Sequence, residues 1–292
     1  MSGREEIVRF HIQHLKQGGN LLKTIHDDGS MFIVYGEGGG CTLHVLGGAA
    51  GFWAPIHGTV RVNSTNLSHT VHAKEALITE YETGVKAVGH ANSRWLVLLG
   101  AKRAWTTLLT DASGHDTQLL PEFHQISRDL RHKAVAVARA VSPWELESAV
   151  HAIAGEIALG QAALRAALAR CPGRTYAKRR QVFLRLQRVR NFMNARCDEE
   201  LDNEMLARMA NYSPCHFLRT FSSVFLETPH AYLVHQRLLR AKHLLQSGDL
   251  AVTEVALASG FESRSAFSRL FRQRFGTTAR ETMRRGLSGA QH

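Results

Sequence analysis

SPCHFLRTF at residues 213–221 and SRSAFSRLF at residues 263–271 share one skeleton of serine, phenylalanine, arginine and phenylalanine. Side chains four positions apart lie on one face of a helix, so the two phenylalanines of each copy predict a buried stripe. The arginine between them, Arg219 or Arg269, lies on a different face and is free to meet solvent or an anionic partner. The leading serine, Ser213 or Ser263, predicts an N-cap that accepts a backbone N–H bond.

A turn residue precedes each copy and follows a short apolar segment that predicts a helix. Gly260 reaches positive φ without steric cost, and Asn211 is the next-best residue there. Pro214 suits the first helical position, where its missing N–H is no loss. A helix, a tight turn and a capped helix make a helix-turn-helix motif. An ordinary helical bundle is the alternative for either copy alone, but two copies in register favour the motif.

The charge of the chain is concentrated in the same half. Residues 174–292 hold 20 Lys and Arg against 10 Asp and Glu, a net charge of +10, whereas residues 1–173 hold 16 against 15. Neutralisation of phosphates supplies most non-specific affinity for DNA, so a basic domain beside a near-neutral one is typical of a nucleic-acid-binding module. The alternative is a merely soluble basic surface. Four arginines clustered in one predicted helix argue against it: Arg264, Arg269, Arg272 and Arg274.

Residues 178–285 resemble the DNA-binding domain of the AraC family of bacterial transcription regulators. The resemblance rests on three segments, LARMANYSPCHFLRTF, ETPHAYLVHQRLLRAKHLL and VTEVALASGFESRSAFSRLFRQRFG. The last carries the most specific signature, a Gly-Phe turn, Phe-x-Arg-x-Phe and a terminal glycine: Gly260, Phe261, Phe267, Arg269, Phe271 and Gly276. Three positions depart from the family pattern, namely Leu226, Ala279 and Thr282, and they concern the ends of helices more than the DNA-facing surface.

The resemblance implies two recognition helices that contact double-stranded promoter DNA. The residues expected at that interface are Cys215, His216, Leu218 and Arg219 in the first helix and Arg264, Ser265, Ser268, Arg269 and Arg272 in the second. Arginine forks well onto guanine, so Arg219, Arg264 and Arg269 are the main candidates for base contacts. Each arginine equally fits a phosphate contact, and both roles stay open.

A long helix is expected between the two motifs, beginning at Thr228-Pro229. Seventeen residues from His230 give a rod of roughly 25 Å at about 1.5 Å per residue. The resemblance implies that this rod holds the recognition helices near one DNA repeat apart, about 34 Å, so that they enter successive major grooves.

Residues 1–120 have a different pattern, in which short apolar segments alternate with Gly, Asn, Ser and Asp clusters. The predicted strands begin at Met31, Cys41, Gly58, Ala76 and Trp95. Many short strands at such spacing predict a sandwich or barrel. The resemblance favours a cupin-like jelly roll that binds a small effector. The expected fold class is therefore α+β, with an all-α domain of two helix-turn-helix motifs at residues 178–292.

Trp53, His57 and Trp95 are the candidates for an effector pocket, although aromatic residues in a sandwich are more often core. The histidines of this half lack the close His-x-His pair and following glutamate of a metal-binding cupin, so no metal and no cofactor is expected. The histidines concerned are His44, His57, His69, His72 and His90.

Residues 121–171 predict a helical dimerisation segment, and residues 172–177 a linker. Residues 121–140 are compatible with a helix, and Ser142-Pro143-Trp144-Glu145 predicts a capping box with proline at the first helical position. The next helix places a heptad-like stripe at Leu146, Val150, Ile153, Ile157, Leu164 and Leu168. Such a stripe pairs with its copy in a homodimer or packs on its own barrel, and the family resemblance favours the dimer.

The combined pattern predicts a DNA-binding transcription regulator and not an enzyme. Family resemblance favours an activator that works with RNA polymerase. The alternatives are a regulator controlled by a partner protein without an effector, a cupin-type enzyme, and a DNA-repair alkyl transferase. The last needs a reactive cysteine in a pocket, whereas Pro214-Cys215-His216 lies inside a recognition helix, where Cys215 is expected to contact DNA. The four cysteines are scattered, which excludes a zinc finger and favours reduced thiols. The start MSGREEIVRF lacks a signal peptide core and no membrane-spanning run is expected, so the predicted location is the cytoplasm.

Overall fold

The computed structural model describes residues 8–64, 67–81, 84–109, 119–247 and 250–289. The chain forms two compact units, residues 1–166 and residues 167–292, called here the first and the second unit. The predicted domain ends at residues 1 and 292 lie outside the described residues.

The first unit is built on two β-sheets. The strands are β1 Arg9–Leu15, β2 Asn20–Lys23, β3 Ser30–Glu37, β4 Thr42–Val45, β5 Ala50–His57, β6 Thr59–Ser64, β7 Leu67–His72, β8 Glu75–Thr79, β9 Val85–Gly89, β10 Arg94–Gly100 and β11 Glu122–Gln125. One sheet has the order β1-β3-β10-β5-β8-β11 and the other β2-β4-β9-β6-β7. The pairs β1–β3 and β2–β4 are parallel, and the remaining neighbours whose register is known are antiparallel. All five predicted strands are confirmed.

Three helices accompany the sheets, and the second unit is helical. The helices are α1 Lys102–Leu109, α2 Arg128–Arg139, α3 Pro143–Arg170, α4 Tyr176–Ala195, α5 Asn203–Met209, α6 Pro214–Phe225, α7 Pro229–Ser247, α8 Val252–Ala258, α9 Arg264–Phe275 and α10 Ala279–Gly289. The boundary between the units falls within α3. A β-rich first unit before a helical second unit confirms the predicted α+β class, whereas α1 was not predicted.

The six-stranded sheet is covered on both faces, which explains the uninterrupted apolar sequence of β10. Trp95 and Val97 pack between the two sheets with residues of the five-stranded sheet. Leu96 and Leu98 point the other way and pack against α1, α2 and α3. Successive side chains of a strand alternate between faces, so a strand buried on both sides has no polar positions.

The prediction of helix throughout residues 121–140 was wrong at its start. Glu122–Gln125 is a strand that pairs antiparallel with β8. Phe123 is buried between the sheets, and pairing satisfies the backbone groups at this sheet edge. The helix α2 begins later, after Ser127 accepts a hydrogen bond from the Leu130 N–H at 3.0 Å. Residues 121–166 therefore belong to the first compact unit, and their role in dimerisation stays a prediction.

The predicted capping box of α3 is confirmed, but the apolar stripe of this helix is used within the chain. Ser142 Oγ accepts from the Glu145 N–H at 3.2 Å, and the Glu145 carboxylate accepts from the Ser142 N–H at 3.3 Å. Leu146, Val150 and Ile153 pack into the core formed with the six-stranded sheet. The rest of the stripe is buried too, at Ile157, Leu164 and Leu168. The stripe is thus unavailable to a second chain, which corrects the predicted pairing.

The helix α3 also corrects the expectation that no segment is long and apolar enough to cross a membrane. Within the described residues it alone meets that test, with a mean hydropathy of 1.2 over 18 residues. A core helix passes the same test of length and composition. One side of the helix, from Leu146 to Ile157, packs in the core formed with the six-stranded sheet.

Candidate nucleic-acid interface

The first motif consists of α5, a turn and α6. Asp202 caps α5 by accepting from the Met205 N–H at 2.6 Å. Asn211 then takes the left-handed conformation, with φ of +56°, as predicted. The helix α6 begins at Pro214 and buries Phe217 and Phe221 completely. The prediction that the Ser213 side chain caps this helix was wrong, because it accepts no cap hydrogen bond.

The second motif repeats this arrangement with α8 and α9. Gly260 has φ of +81°, and the Phe261 N–H donates to the Ala256 carbonyl at 3.0 Å. Here the serine cap is formed, since Ser263 Oγ accepts from the Ala266 N–H at 3.3 Å. Phe267 and Phe271 are fully buried, as predicted.

The residues predicted to face DNA lie mainly on the exposed sides of α6 and α9. Cys215, His216 and Arg219 are exposed on α6, where Leu218 is half-buried. The five predicted residues of α9 are all exposed: Arg264, Ser265, Ser268, Arg269 and Arg272. Two polar side chains are held by neighbours within their own motif. The His216 ring stacks on Tyr212 with centroids 4.5 Å apart, and Ser265 Oγ lies 2.9 Å from Ser263 Oγ.

The arginines of the second unit fall into two classes by their contacts. Across the described part of the chain, the guanidinium groups of Arg219, Arg264, Arg269 and Arg272 make no hydrogen bond or ion pair. Arg237 and Arg240 of α7, in contrast, are hydrogen-bonded to backbone and carboxylate oxygens. Arginine presents five fixed donors that match phosphate or guanine acceptors, so unpaired guanidinium groups on the exposed faces of α6 and α9 suit nucleic-acid binding. Sequence analysis selected the first class as DNA contacts and assigned no role to Arg237 or Arg240.

The connecting helix α7 agrees with the predicted rod. It has 19 residues, which corresponds to about 28 Å at 1.5 Å per residue. Thr228 Oγ1 accepts from the Ala231 N–H at 3.1 Å and caps its first turn.

The three departures from the family pattern are accommodated locally. Leu226 takes the left-handed cap of α6 with φ of +61°, where Gly276 serves α9 with φ of +67°. Ala279 is buried at the start of α10. Thr282 is buried as well, and its hydroxyl donates to the Thr278 carbonyl at 3.1 Å.

The cysteines do not form a reactive site. Burial raises the pKa of the Cys171 and Cys197 thiols to about 11. Cys41 is buried and its Sγ donates to the Lys16 and Glu37 carbonyls. Cys215 is exposed on α6, which suits a contact residue better than a nucleophile enclosed in a pocket.

The three candidate effector residues differ in their burial. Trp53 and Trp95 are almost completely buried between the sheets, with ring centroids 6.4 Å apart. Trp53 Nε1 donates to Thr79 Oγ1 at 3.1 Å. His57 is exposed at the end of β5. Their role in effector binding stays a prediction. No group of three His, Cys, Asp or Glu side chains suited to a metal ion occurs in the described ranges.

Comparison with known proteins supports the interpretation of the second unit. Residues 206–285 match a family described as a helix-turn-helix domain. The HTH-type transcriptional regulator GbdR of Pseudomonas aeruginosa is 33% identical over 97 residues, which cover 33% of this chain and 26% of GbdR. The chain therefore spans about a quarter of the length of that relative.

Two further similarities come from a curated protein and a solved structure. The "Probable transcription factor PqrA" of Proteus vulgaris is 30% identical over 95 residues, 32% of this chain and 78% of PqrA. The solved DNA-binding domain of AdpA, a global transcriptional factor in complex with a target DNA, is 33% identical. The alignment covers 34% of this chain and 89% of that domain, with a TM-score of 0.33. From its two matching motifs and the match to most of PqrA, the chain belongs to the AraC family of transcription regulators.

Proposed function

We propose that this chain is a cytoplasmic regulator that binds promoter DNA through α6 and α9 and activates transcription together with RNA polymerase. The observation that carries the proposal is the set of four guanidinium groups on the exposed faces of α6 and α9 that have no partner among the described residues. The net charge of +10 in residues 174–292 adds the long-range attraction for DNA. The matched relatives are transcription regulators, and an enzymatic alternative has no corresponding support.

The positions of the four arginines support two roles. Arg264 is the first residue of α9, and the N-terminal part of a recognition helix is the part that meets base edges. Arg219 and Arg269 occupy equivalent positions in the two motifs, six residues after the serine. We assign base contacts to these three arginines and a phosphate contact to Arg272, which lies two turns beyond Arg264.

The first experiment is genome-wide capture of DNA fragments by the purified full-length chain, repeated with the double variant Arg219→Ala and Arg269→Ala. A few enriched sites with a shared two-part motif, lost in the variant, would support the proposal. The control is Arg280→Ala, which removes one positive charge, against two in the double variant, from an exposed position of α10. Uniform, salt-sensitive capture that the double variant leaves unchanged would contradict it. Transcription from a captured promoter with purified RNA polymerase then distinguishes activation from repression.

A small effector in the first unit is the second part of the proposal. Trp95 Nε1 and Ser93 Oγ are buried and, within the described residues, have no hydrogen-bond partner. Both atoms lie against Gly89, where an added Cβ would be 2.7 Å from each. Unpaired buried polar atoms are rare in native proteins, and a bound polar group is one explanation for them. They support a candidate site at Trp95, whereas His57 is exposed.

Thermal unfolding of the full chain against a metabolite panel tests this part, because a ligand that binds only the folded state raises its stability. The control is Trp95→Phe, which keeps an aromatic ring and removes the N–H. A shift that the variant loses supports the effector site. A panel without any shift favours the alternative, a regulator controlled by a partner protein.

The third part of the proposal is that the chain forms a homodimer. We propose a dimer surface that differs from the buried stripe of α3. A groove of about 700 Å³ lies between α2 and the start of α3. Trp144, on its rim, is 76% exposed. The α2 side carries exposed His132 and Arg139, whereas Glu145 lies at the start of α3. The opposite charges of Arg139 and Glu145 fit a second copy in which α2 of one chain faces α3 of the other.

Light scattering on the purified full chain measures its molar mass in solution and so distinguishes a dimer from a monomer. We expect Trp144→Ser to convert the dimer to a monomer. Leu159→Ser is the matched control, since Leu159 is an equally exposed apolar residue of α3 outside the groove. A dimer that survives Trp144→Ser, or a wild-type monomer, would exclude this surface.

A further inference from the structure

Arg240 of α7 connects the two helix-turn-helix motifs through a single guanidinium group. Its Nε donates to the Ala258 carbonyl at 3.0 Å, at the end of α8. Its Nη2 donates to the Asp198 carboxylate at 3.0 Å, in the loop between α4 and α5. The loop leads into the first motif, whereas Ala258 lies directly before the turn of the second. One planar group therefore joins backbone of one motif to the loop that enters the other.

Arg237, one turn earlier on α7, reinforces the same loop. Its Nε donates to the Cys197 carbonyl at 2.7 Å and its Nη2 to the Glu199 carbonyl at 2.9 Å. These carbonyls flank Asp198, so three consecutive residues of the loop are held by α7. Because the guanidinium plane has fixed donor directions, two bonds from one group restrict both the distance and the angle of its partners.

Gly260 brings the turn of the second motif against this loop. A Cβ at this position would lie 2.9 Å from Asp198 Cα, 2.9 Å from the Cys197 carbonyl oxygen and 2.9 Å from Arg237 Nε. Two of these atoms belong to the backbone and cannot move aside cheaply. The turn residue thus has two requirements, a left-handed φ and the absence of a side chain, and the second arises from contact with the loop that enters the first motif.

We infer that Arg240, Arg237 and Asp198 are positioning residues that fix the relative placement of α6 and α9 and thereby set the spacing of the two DNA half-sites. The inference rests on the proposed function and adds a structural origin for half-site spacing. Because the guanidinium groups of Arg240 and Arg237 are hydrogen-bonded within the protein, they hold α6 and α9 in place and do not contact DNA themselves.

We expect substitutions at these residues to change how affinity depends on the spacing between the half-sites, and not the affinity for either half-site alone. With the full chain, binding is measured to a two-part site at its natural spacing, to the same site with one to three base pairs inserted, and to each half-site alone. We expect the wild type to prefer one spacing sharply. Arg240→Lys keeps the charge but lacks the fork, so it should lose about tenfold in affinity at the natural spacing and show a flatter spacing profile. Its affinity for each half-site should be unchanged.

Asp198→Asn is the second variant, because it keeps the shape of the side chain and weakens only the charged hydrogen bond. Asp198→Asn should also flatten the spacing profile. If circular dichroism shows that Arg240→Lys has lost helix, Asp198→Asn alone is used to test the inference. Arg280→Lys is the control for the arginine-to-lysine change. Sharp profiles for both variants, equal to the wild type, would overturn the inference. A wild-type chain without any preferred two-part site would instead overturn the proposed function.

Discussion

At the scale of single residues, the left-handed cap of α6 is occupied by a leucine. Leu226 has φ of +61° and a side chain that is 72% exposed, so it has strain and little packing to offset it. The left-handed conformation costs an L-residue about 1 to 2 kcal/mol, and glycine avoids this but loses more entropy on folding. We expect Leu226→Gly to raise the free energy of unfolding by about 1 kcal/mol in urea denaturation.

The equivalent residue of the second motif provides the control. Gly276 has φ of +67° at the cap of α9, and no atom would clash with an added Cβ. Gly276→Ala should therefore lower the free energy of unfolding through backbone strain alone. If Leu226→Gly also destabilises the protein, the leucine side chain contributes more by packing than its conformation costs.

Glu281 gives the chain a residue-scale response to acid. Its carboxylate accepts from the Thr278 N–H at 2.9 Å and from Thr277 Oγ1 at 2.8 Å. These hydrogen bonds, the Thr278 backbone bond first, lower the pKa of Glu281 from 4.5 to about 2. A lowered folded-state pKa gives stability that is present above the unfolded-state pKa of 4.5 and is lost as the pH falls through about 2.

Glu281→Gln should therefore be less stable than the wild type at neutral pH, and the difference should close as the pH falls from 4.5 toward 2. Thermal unfolding followed by circular dichroism over this range measures it. Glu262→Gln is the control, because Glu262 is an exposed carboxylate in the turn between α8 and α9. A difference that stays constant with pH would mean that the substitution acts through shape and not through charge.

At the scale of elements, the buried rings of α9 separate folding from DNA binding. Phe267 is completely buried and contacts Phe261 and Phe271, with centroids 5.2 and 5.5 Å away. Replacement of a buried phenylalanine by alanine leaves a cavity, so Phe267→Ala should cost about 3 to 5 kcal/mol of unfolding free energy. Arg269→Ala, two residues away on the exposed face, should change stability by less than about 0.5 kcal/mol and still weaken DNA binding. Similar unfolding curves for both variants would contradict the assigned faces.

The helices α6 and α9 were predictable because their signals are local. Serine, proline and the spacing of phenylalanines act within one or two turns, and Asn211 and Gly260 are residue types that reach the left-handed φ of these turns. The strand β11 and the role of Arg240 were not predictable in this way. Glu122–Gln125 becomes a strand through pairing with β8, and Arg240 meets Asp198 across 42 positions of sequence. Partners so distant in sequence leave no periodic trace.

The same limit explains the stripe of α3. Heptad-like spacing correctly indicated one apolar face, and Leu146 and Val150 are buried as that spacing requires. Periodicity cannot distinguish a partner helix from the chain's own sheet, because both remove the same area from water. The structure assigns the face to the first unit's core and leaves the groove beside Trp144 as the surface for a second copy in the proposal.

At the scale of the whole molecule, the uneven charge should determine how affinity for DNA depends on salt. Each phosphate that a cation neutralises contributes about −0.9 to the slope of log affinity against log salt. We expect Arg272→Ala to reduce the magnitude of this slope by about 1 and to weaken binding equally on all sequences. Arg264→Ala should instead cost about 1 to 3 kcal/mol at the preferred site and little elsewhere. Titration of the full chain onto specific and unrelated duplexes over a range of salt measures both, and Arg280→Ala should change neither. The two assignments would be reversed if Arg272→Ala lost affinity only at the preferred site, or if Arg264→Ala lost affinity equally on all sequences. The start of α9 would then contact the DNA backbone, and its later turns would contact bases.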